Sequence, residues 1–231
     1  MSDFRIYGES VPDLVPDNEG SPKLLRESRR LAASAGAAWI GQAWGLFTRR
    51  WGVWVGMSFV MLLITTVVSM LPLVGFLSNF LTLFFAGGMM LAAAALAEND
   101  DLEFVYLFGG FQHKFKELLI LTLLYFLVLL LVVFVFVVVM YLTGTNISDW
   151  DSEQPSVAAM AMYGWIILAG FAVLVPVSMM MWFATVLTVL DDVAPWQAMK
   201  MSFQGCVRNI LPFIVYGLVW LGLSLVVGLL A

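Results

Sequence analysis

The chain has little of what soluble chemistry uses. Only 12% of its 231 residues are charged, against roughly 25% in an ordinary soluble domain, and none of them lies between Trp51 and Ala97. That scarcity excludes a soluble globular protein. A single cysteine, Cys206, has no partner for an internal disulfide, and a single histidine, His113, cannot build a zinc-type cluster. The first twenty residues hold five acids beside one arginine and no apolar leader core, so no cleavable signal peptide is expected. No Asp, Glu, Lys, Arg or His falls inside the long apolar runs. Proton-coupled pumps and transporters carry their coupling on such groups, so the absence argues against that class and leaves only backbone carbonyls at broken helices to hold an ion.

What remains is apolar: 62% of the residues are hydrophobic. A spanning helix needs about 20 apolar residues, and the charge-free runs predict five, at about 51–71, 76–97, 118–142, 158–190 and 210–231. The fourth run, 156–190, would be about 50 Å long as a helix, more than the roughly 30 Å hydrocarbon core. It must tilt, kink near Pro176, or begin outside the lipid.

Ahead of the spans, residues 1–20, with Pro12, Pro16 and the five acids, read as a disordered tail. Residues 21–50 read as an amphipathic interfacial helix that starts at Ser21-Pro22 as N-cap and first turn. Its apolar positions are Leu25, Ala32, Trp39 and Leu46, with Lys23, Arg26, Arg29 and Arg30 near its start. Such a helix lies on an anionic leaflet or packs on the protein body. Residues 51–231 form the transmembrane domain. Two further amphipathic segments occupy the joints at 98–117 and 191–209, and Asp100 and Glu103 have capping-box spacing in the first of these.

All eleven Lys and Arg residues lie in the N-terminal segment or in these two joints, whereas the 72–75 turn and the 143–155 loop have none. The positive-inside rule then predicts a cytoplasmic N-terminus and, with five spans, a C-terminus on the external side. Arg26, Arg29, Arg30, Arg49, Arg50, Lys114, Lys116, Lys200 and Arg208, with Trp39, Trp44 and Trp196, are expected to anchor the protein at the headgroup level. The pattern repeats as amphipathic helix, helix out, helix back. Three units need six spans and the chain supplies five, so either the sixth is absent or the sequence stops short at Ala231.

The stretch WFATVLTVLDD, followed by AMKMSF and VRNILPFIVYGL, resembles the C-terminal signature of an uncharacterised family of polytopic proteobacterial inner-membrane proteins. The matching positions are Phe183, Ala184, Asp191, Ala198, Ser202, Arg208, Asn209, Phe213, Tyr216 and Gly217. The specific match covers about residues 182–217, and the family continues into a further helix that this chain lacks. The resemblance implies a membrane bundle in a bacterial inner membrane, with the external C-terminus then periplasmic, and no activity.

Other clusters have plain readings. Fourteen methionines, Met179, Met180, Met181, Met199 and Met201 among them, could ligate copper(I), but packing explains them. Asp149, Asp151 and Glu153 could meet a divalent cation, but lack a calcium-loop pattern and read as a solvated loop. Asn146 with Ser148 matches a glycosylation acceptor, which means nothing in a bacterium without the enzyme. Asp191 and Asp192 read as favourable charges ahead of a helix near Pro195 rather than as a catalytic dyad. Gly87, Gly88 and Ala92 give the second span a small-residue face, which packs inside the monomer or serves an interface.

The expectation is therefore an all-α polytopic bundle with cytoplasmic-face amphipathic helices, no cofactor, no metal and no catalytic site. The leading function is a scaffold or accessory subunit of a membrane complex. Its partners would be the anionic inner leaflet and either a homo-oligomer or a second membrane protein, with no nucleic acid. The alternative is a small-molecule or lipid transporter with a bend at Pro176. An enzyme ranks third, because no intramembrane Ser with His, paired Asp or metal set is present.

Overall fold

In a computed structural model, residues 28–72, 75, 77–98, 101–142 and 157–230 are described. They form helices α1 (Ala35–Arg49), α2 (Trp51–Ser69) and α3 (Leu77–Ala97), then a 3-10 segment (Phe104–Phe108) and α4 (Gly109–His113). After these come α5 (Phe115–Leu142), α6 (Val157–Trp182), α7 (Ala184–Leu190), α8 (Pro195–Arg208) and α9 (Ile210–Leu230). No strand occurs among the described residues. Five helical stretches are long and apolar enough to cross a membrane: Trp51–Ser69, Leu77–Ala97, Phe115–Leu142, Gly164–Leu190 and Ile210–Leu229. In lipid, a spanning segment must satisfy its backbone internally, and uninterrupted apolar helix is how this sequence does so. The protein is an all-α polytopic membrane bundle.

The span limits agree with expectation to within a few residues, but several finer expectations fail. Of the amphipathic helix expected over 21–50, the described part is helical from Ala35, whereas residues 28–32 are not helical, because their backbone groups are bound by Arg208 and Asn209 as described below. The joint expected to hold one short helix splits into the 3-10 segment and α4. Glu103, extended at φ −103° and ψ 146°, stands immediately before the 3-10 segment rather than at the third position of a helix. The fourth span stays helical through Pro176 and has a further interruption, not expected, at Phe183. The tail, Ser21-Pro22, Arg26, Asp100, Asn146, Ser148 and the acids of the 143–155 loop lie outside the described residues.

The core sits at one end of the bundle. Of the second span 39% is buried, against 6% or less of the other four, which makes α3 the central helix. Two apolar clusters flank it. One joins Phe84 to Leu118, Leu121, Ala184, Val189, Ala198 and Met199; the other joins Phe85 and Ala92 to Met57, Leu96, Leu102 and Leu107. Glycine sets the closest approaches. A Cβ on Gly88 would sit 2.2 Å from the Leu107 carbonyl oxygen, one on Gly110 would sit 2.2 Å from that of Phe84, and one on Gly36 would sit 2.0 Å from that of Pro212. The first two lock the 3-10 segment and α4 onto α3, and the third crosses α1 over the first turn of α9.

Candidate functional site

Three single residues each separate an amphipathic segment from the span that follows: Arg50 before α2, Lys114 before α5 and Asn209 before α9. Their backbone angles agree closely, at φ −143° and ψ 46°, φ −131° and ψ 29°, and φ −121° and ψ 34°. Each carbonyl then accepts the first bond of the new helix, from the N–H of Trp54 at 3.2 Å, Leu118 at 2.9 Å and Phe213 at 3.2 Å. A basic residue precedes each junction (Arg49, His113, Arg208), and an aromatic holds the same earlier place in each unit (Trp44, Phe108, Phe203). The chain is thus built from three structurally matching starts, which brings all the base-bearing joints to one end.

Each junction residue reaches forward to the next unit. Arg50 is ion-paired with Asp101, and Lys114 with Asp192. Asn209 closes the cycle: its Oδ1 accepts the N–H of Leu31 at 2.8 Å, and its Nδ2 donates to the carbonyls of Arg29 and Gly205, both at 2.9 Å. The guanidinium of Arg208 adds a bond to the Ser28 carbonyl at 2.9 Å, and that of Arg49 donates to the Leu96 carbonyl at 3.4 Å. Several bases expected to meet headgroups therefore hold protein groups. Exposed ion pairs contribute only about 0–1 kcal/mol each, whereas Asn209, which is buried, would leave unsatisfied amides behind if removed and counts for more.

Of the other expected anchors, Arg29, Arg30, Lys116 and Lys200 are exposed, and the Lys200 ammonium stands 5.0 Å from the centre of the Trp196 ring. Trp44 is 65% exposed. Trp39 instead turns inward and meets Phe213 edge-on at 5.4 Å, while Trp182 meets the same ring at 5.3 Å. Gly87, Gly88 and Ala92 are all buried within the chain, so that part of the small-residue face is occupied internally.

Ser202 explains the break in the fourth span. Its hydroxyl stands where the helical bond from Phe183 to Met179 would be, accepting the Phe183 N–H at 2.9 Å and donating to the Met179 carbonyl at 2.6 Å. Insertion of a side chain into the helical ladder is a recognised cause of a sharp break. The Cys206 thiol, one turn along α8, also donates to the Met179 carbonyl, at 3.6 Å. Burial pushes that thiol up to about 11, opposed by its hydrogen bond with Ser202. The chain then turns from α7 into α8 at Asp192, which has a φ of 56°, a conformation that Asp tolerates better than most residues. Asp191 is raised above the ordinary carboxylate range by burial first and by the charge of Asp192 second. No group of three or more His, Cys, Asp or Glu that could hold a metal occurs among the described residues.

Asp101 and Asp192 as cross-joint partners, and Ser202 as a wedge, were not foreseen. Superposing the three junctions in sequence would have put Asn209 in the place of Arg50 and Lys114, and so marked it as a cross-linking position.

No family model matches the chain, and no solved structure matches it. A probable inner membrane protein of Burkholderia thailandensis is 48% identical over 58 residues, which is 25% of this chain and 22% of that protein. The chain thus matches about a fifth of the relative's length. The relative's name agrees with the expected inner-membrane location and carries no activity.

Proposed function

We propose that the protein is a non-catalytic inner-membrane scaffold or accessory subunit, with its base-bearing joints on the cytoplasmic side, its N-terminus inside and its C-terminus outside. The observation that carries this reading is the contrast between the closed ring of joints and the spans above it, whose faces are left largely unburied by the chain itself. A platform fixed at one end, with free apolar faces in the bilayer, suits assembly with another membrane component. The name of the partial relative supports the location, and the confinement of all Lys and Arg to the N-terminal segment and two joints supports the orientation. A transporter finds less support. Backbone groups freed at a broken span can bind ions, but those at Phe183 and Met179 are taken by Ser202.

Purification from native membranes in mild detergent tests the proposal. A stoichiometric partner or a defined oligomer is the expected outcome; a lone monomer under several gentle conditions would count against it.

A further inference from the structure

Charge is divided unevenly around the joint-bearing end. The joints at 98–117 and 191–192 hold seven acids against two bases, whereas residues 21–49 and 193–231 hold seven bases against one acid, Glu27. At the first two junctions the base is matched by an acid, Arg50 by Asp101 and Lys114 by Asp192. The third junction residue, Asn209, is neutral, and what it holds is backbone: the Arg29 carbonyl and the Leu31 N–H, while Arg208 holds the Ser28 carbonyl. Main-chain bonds thus gather Arg29 and Arg30 beside Arg208, and the side chains of Arg29 and Arg30 are exposed. Like charges brought together in this way make a local positive potential that draws anions.

The level of the cluster is set by α9. Asn209 immediately precedes that span, so Arg29 and Arg30 are held where α9 enters the bilayer. By helical periodicity Leu211, Leu218 and Leu225 share one face of α9. With the three units aligned on Arg50, Lys114 and Asn209, the counterparts of Leu218 are Phe59 on α2 and Leu123 on α5, and the three are 61%, 65% and 51% exposed. Leu221, Leu62 and Phe126 repeat the pattern. A face left open alike in three spans is covered by the medium common to them, which is lipid.

We propose that Arg29 and Arg30 bind the headgroup phosphate of an anionic phospholipid whose acyl chains lie along the Leu211, Leu218 and Leu225 face of α9, with Arg208 as a positioning residue. Basic clusters at the ends of membrane helices recognise anionic headgroups, and a guanidinium meets phosphate oxygens with paired hydrogen bonds. Headgroup contact, expected at all three joints, thus centres on the last. The site depends only on α9 crossing the bilayer and stands apart from the accessory-subunit reading.

Native mass spectrometry of the full chain, titrated in detergent with phosphatidylglycerol or phosphatidylcholine, tests this. Phosphatidylglycerol is expected to bind roughly thirtyfold tighter, the gain that two bases at an anionic surface supply. Arg29→Gln combined with Arg30→Gln should abolish the preference, whereas Arg29→Lys combined with Arg30→Lys should keep most of it. Lys116→Gln, at an exposed base on α5, should leave it intact. Equal binding of the two lipids would overturn the proposal, as would a preference that survives the glutamine pair or is lost equally with Lys116→Gln. Loss in the lysine pair would mark a disturbed leader rather than a charged site, and overturns it too. Displacement of the lipid by an equal concentration of glycerol phosphate would show a site for free phosphate and sink the lipid assignment.

Discussion

At the joint-bearing end, α3, α4, α7 and α8 bury glycines, threonines and a serine against one another, and three units are tied into a cycle. At the opposite end, the described parts of α5 beyond Thr122, α6 before Val177 and α9 beyond Pro212 bury no residue at all. The unburied end is the more apolar of the two, so burial here does not follow hydrophobicity. The difference lies in small residues and in polar groups that have a partner. Lipid tails are as apolar as leucine, and helices in a bilayer gain nothing from hiding leucine alone. Specific association requires close backbone approach or a shared hydrogen bond, and this chain places both at one end.

Substitutions that break this contrast should differ most at glycine. Gly88→Ala or Gly110→Ala forces a methyl onto a backbone carbonyl and is expected to cost about 3 kcal/mol or to prevent folding. Gly222→Ala at the open end, where nothing lies within 4 Å, should be neutral or stabilise by about 0.5–1 kcal/mol through helix propensity. Unfolding titrations in detergent, followed by circular dichroism, would read both. Next in size are Ser202→Ala and Asn209→Ala, each expected to cost about 1–3 kcal/mol by stranding buried backbone groups. Ser224→Ala, on an exposed stretch of α9, should stay within about 0.5 kcal/mol.

The pH dependence sharpens the contrast without changing packing. The Cys206 thiol titrates higher in the folded chain than its ordinary 9.0, at about 11, so the folded state holds the proton longer than the unfolded one. Stability should therefore fall as pH rises from about 9 to 11, and Cys206→Ala should remove that slope. Asp191 has the same sign at acid pH: its contribution falls as pH rises from 3.8 through its elevated value, and Asp191→Asn flattens that window. The smallest effect is expected from Asp101→Asn, which loses an exposed ion pair with Arg50. It should cost under about 1 kcal/mol, and roughly 1 M salt, where the Debye length is about 3 Å, should erase the difference.

The five spans were legible because charge-free runs of that length have few other uses. The repeat was legible too, since a base and an aromatic recur before each outgoing helix. What those bases do was not. Arg50 and Asp101, or Lys114 and Asp192, lie far apart in sequence, and their pairing depends on how the joints come together around α3. Nor was the interruption of the fourth span at Phe183 legible. The helix passes through Pro176 and yields at Phe183, because a hydroxyl from α8 offers both freed groups a partner there. A proline can be read one residue at a time, whereas a serine wedge requires knowing its neighbour. The helical reading of residues 28–34 failed for the same reason: Asn209 and Arg208, far along the chain, claim backbone groups that a helix would have used.

The contact between Leu31 and Asn209 spans 178 residues, and this orders events during biosynthesis. At about 5–20 residues per second, a ribosome needs roughly 10–35 s after making residue 31 before its partner exists. The earlier units can pair as they emerge, while the first leader waits for the last joint. Insertion into the bilayer therefore runs ahead of closure, and an interrupted nascent chain would carry an unclaimed amphipathic segment that quality-control proteases could reach.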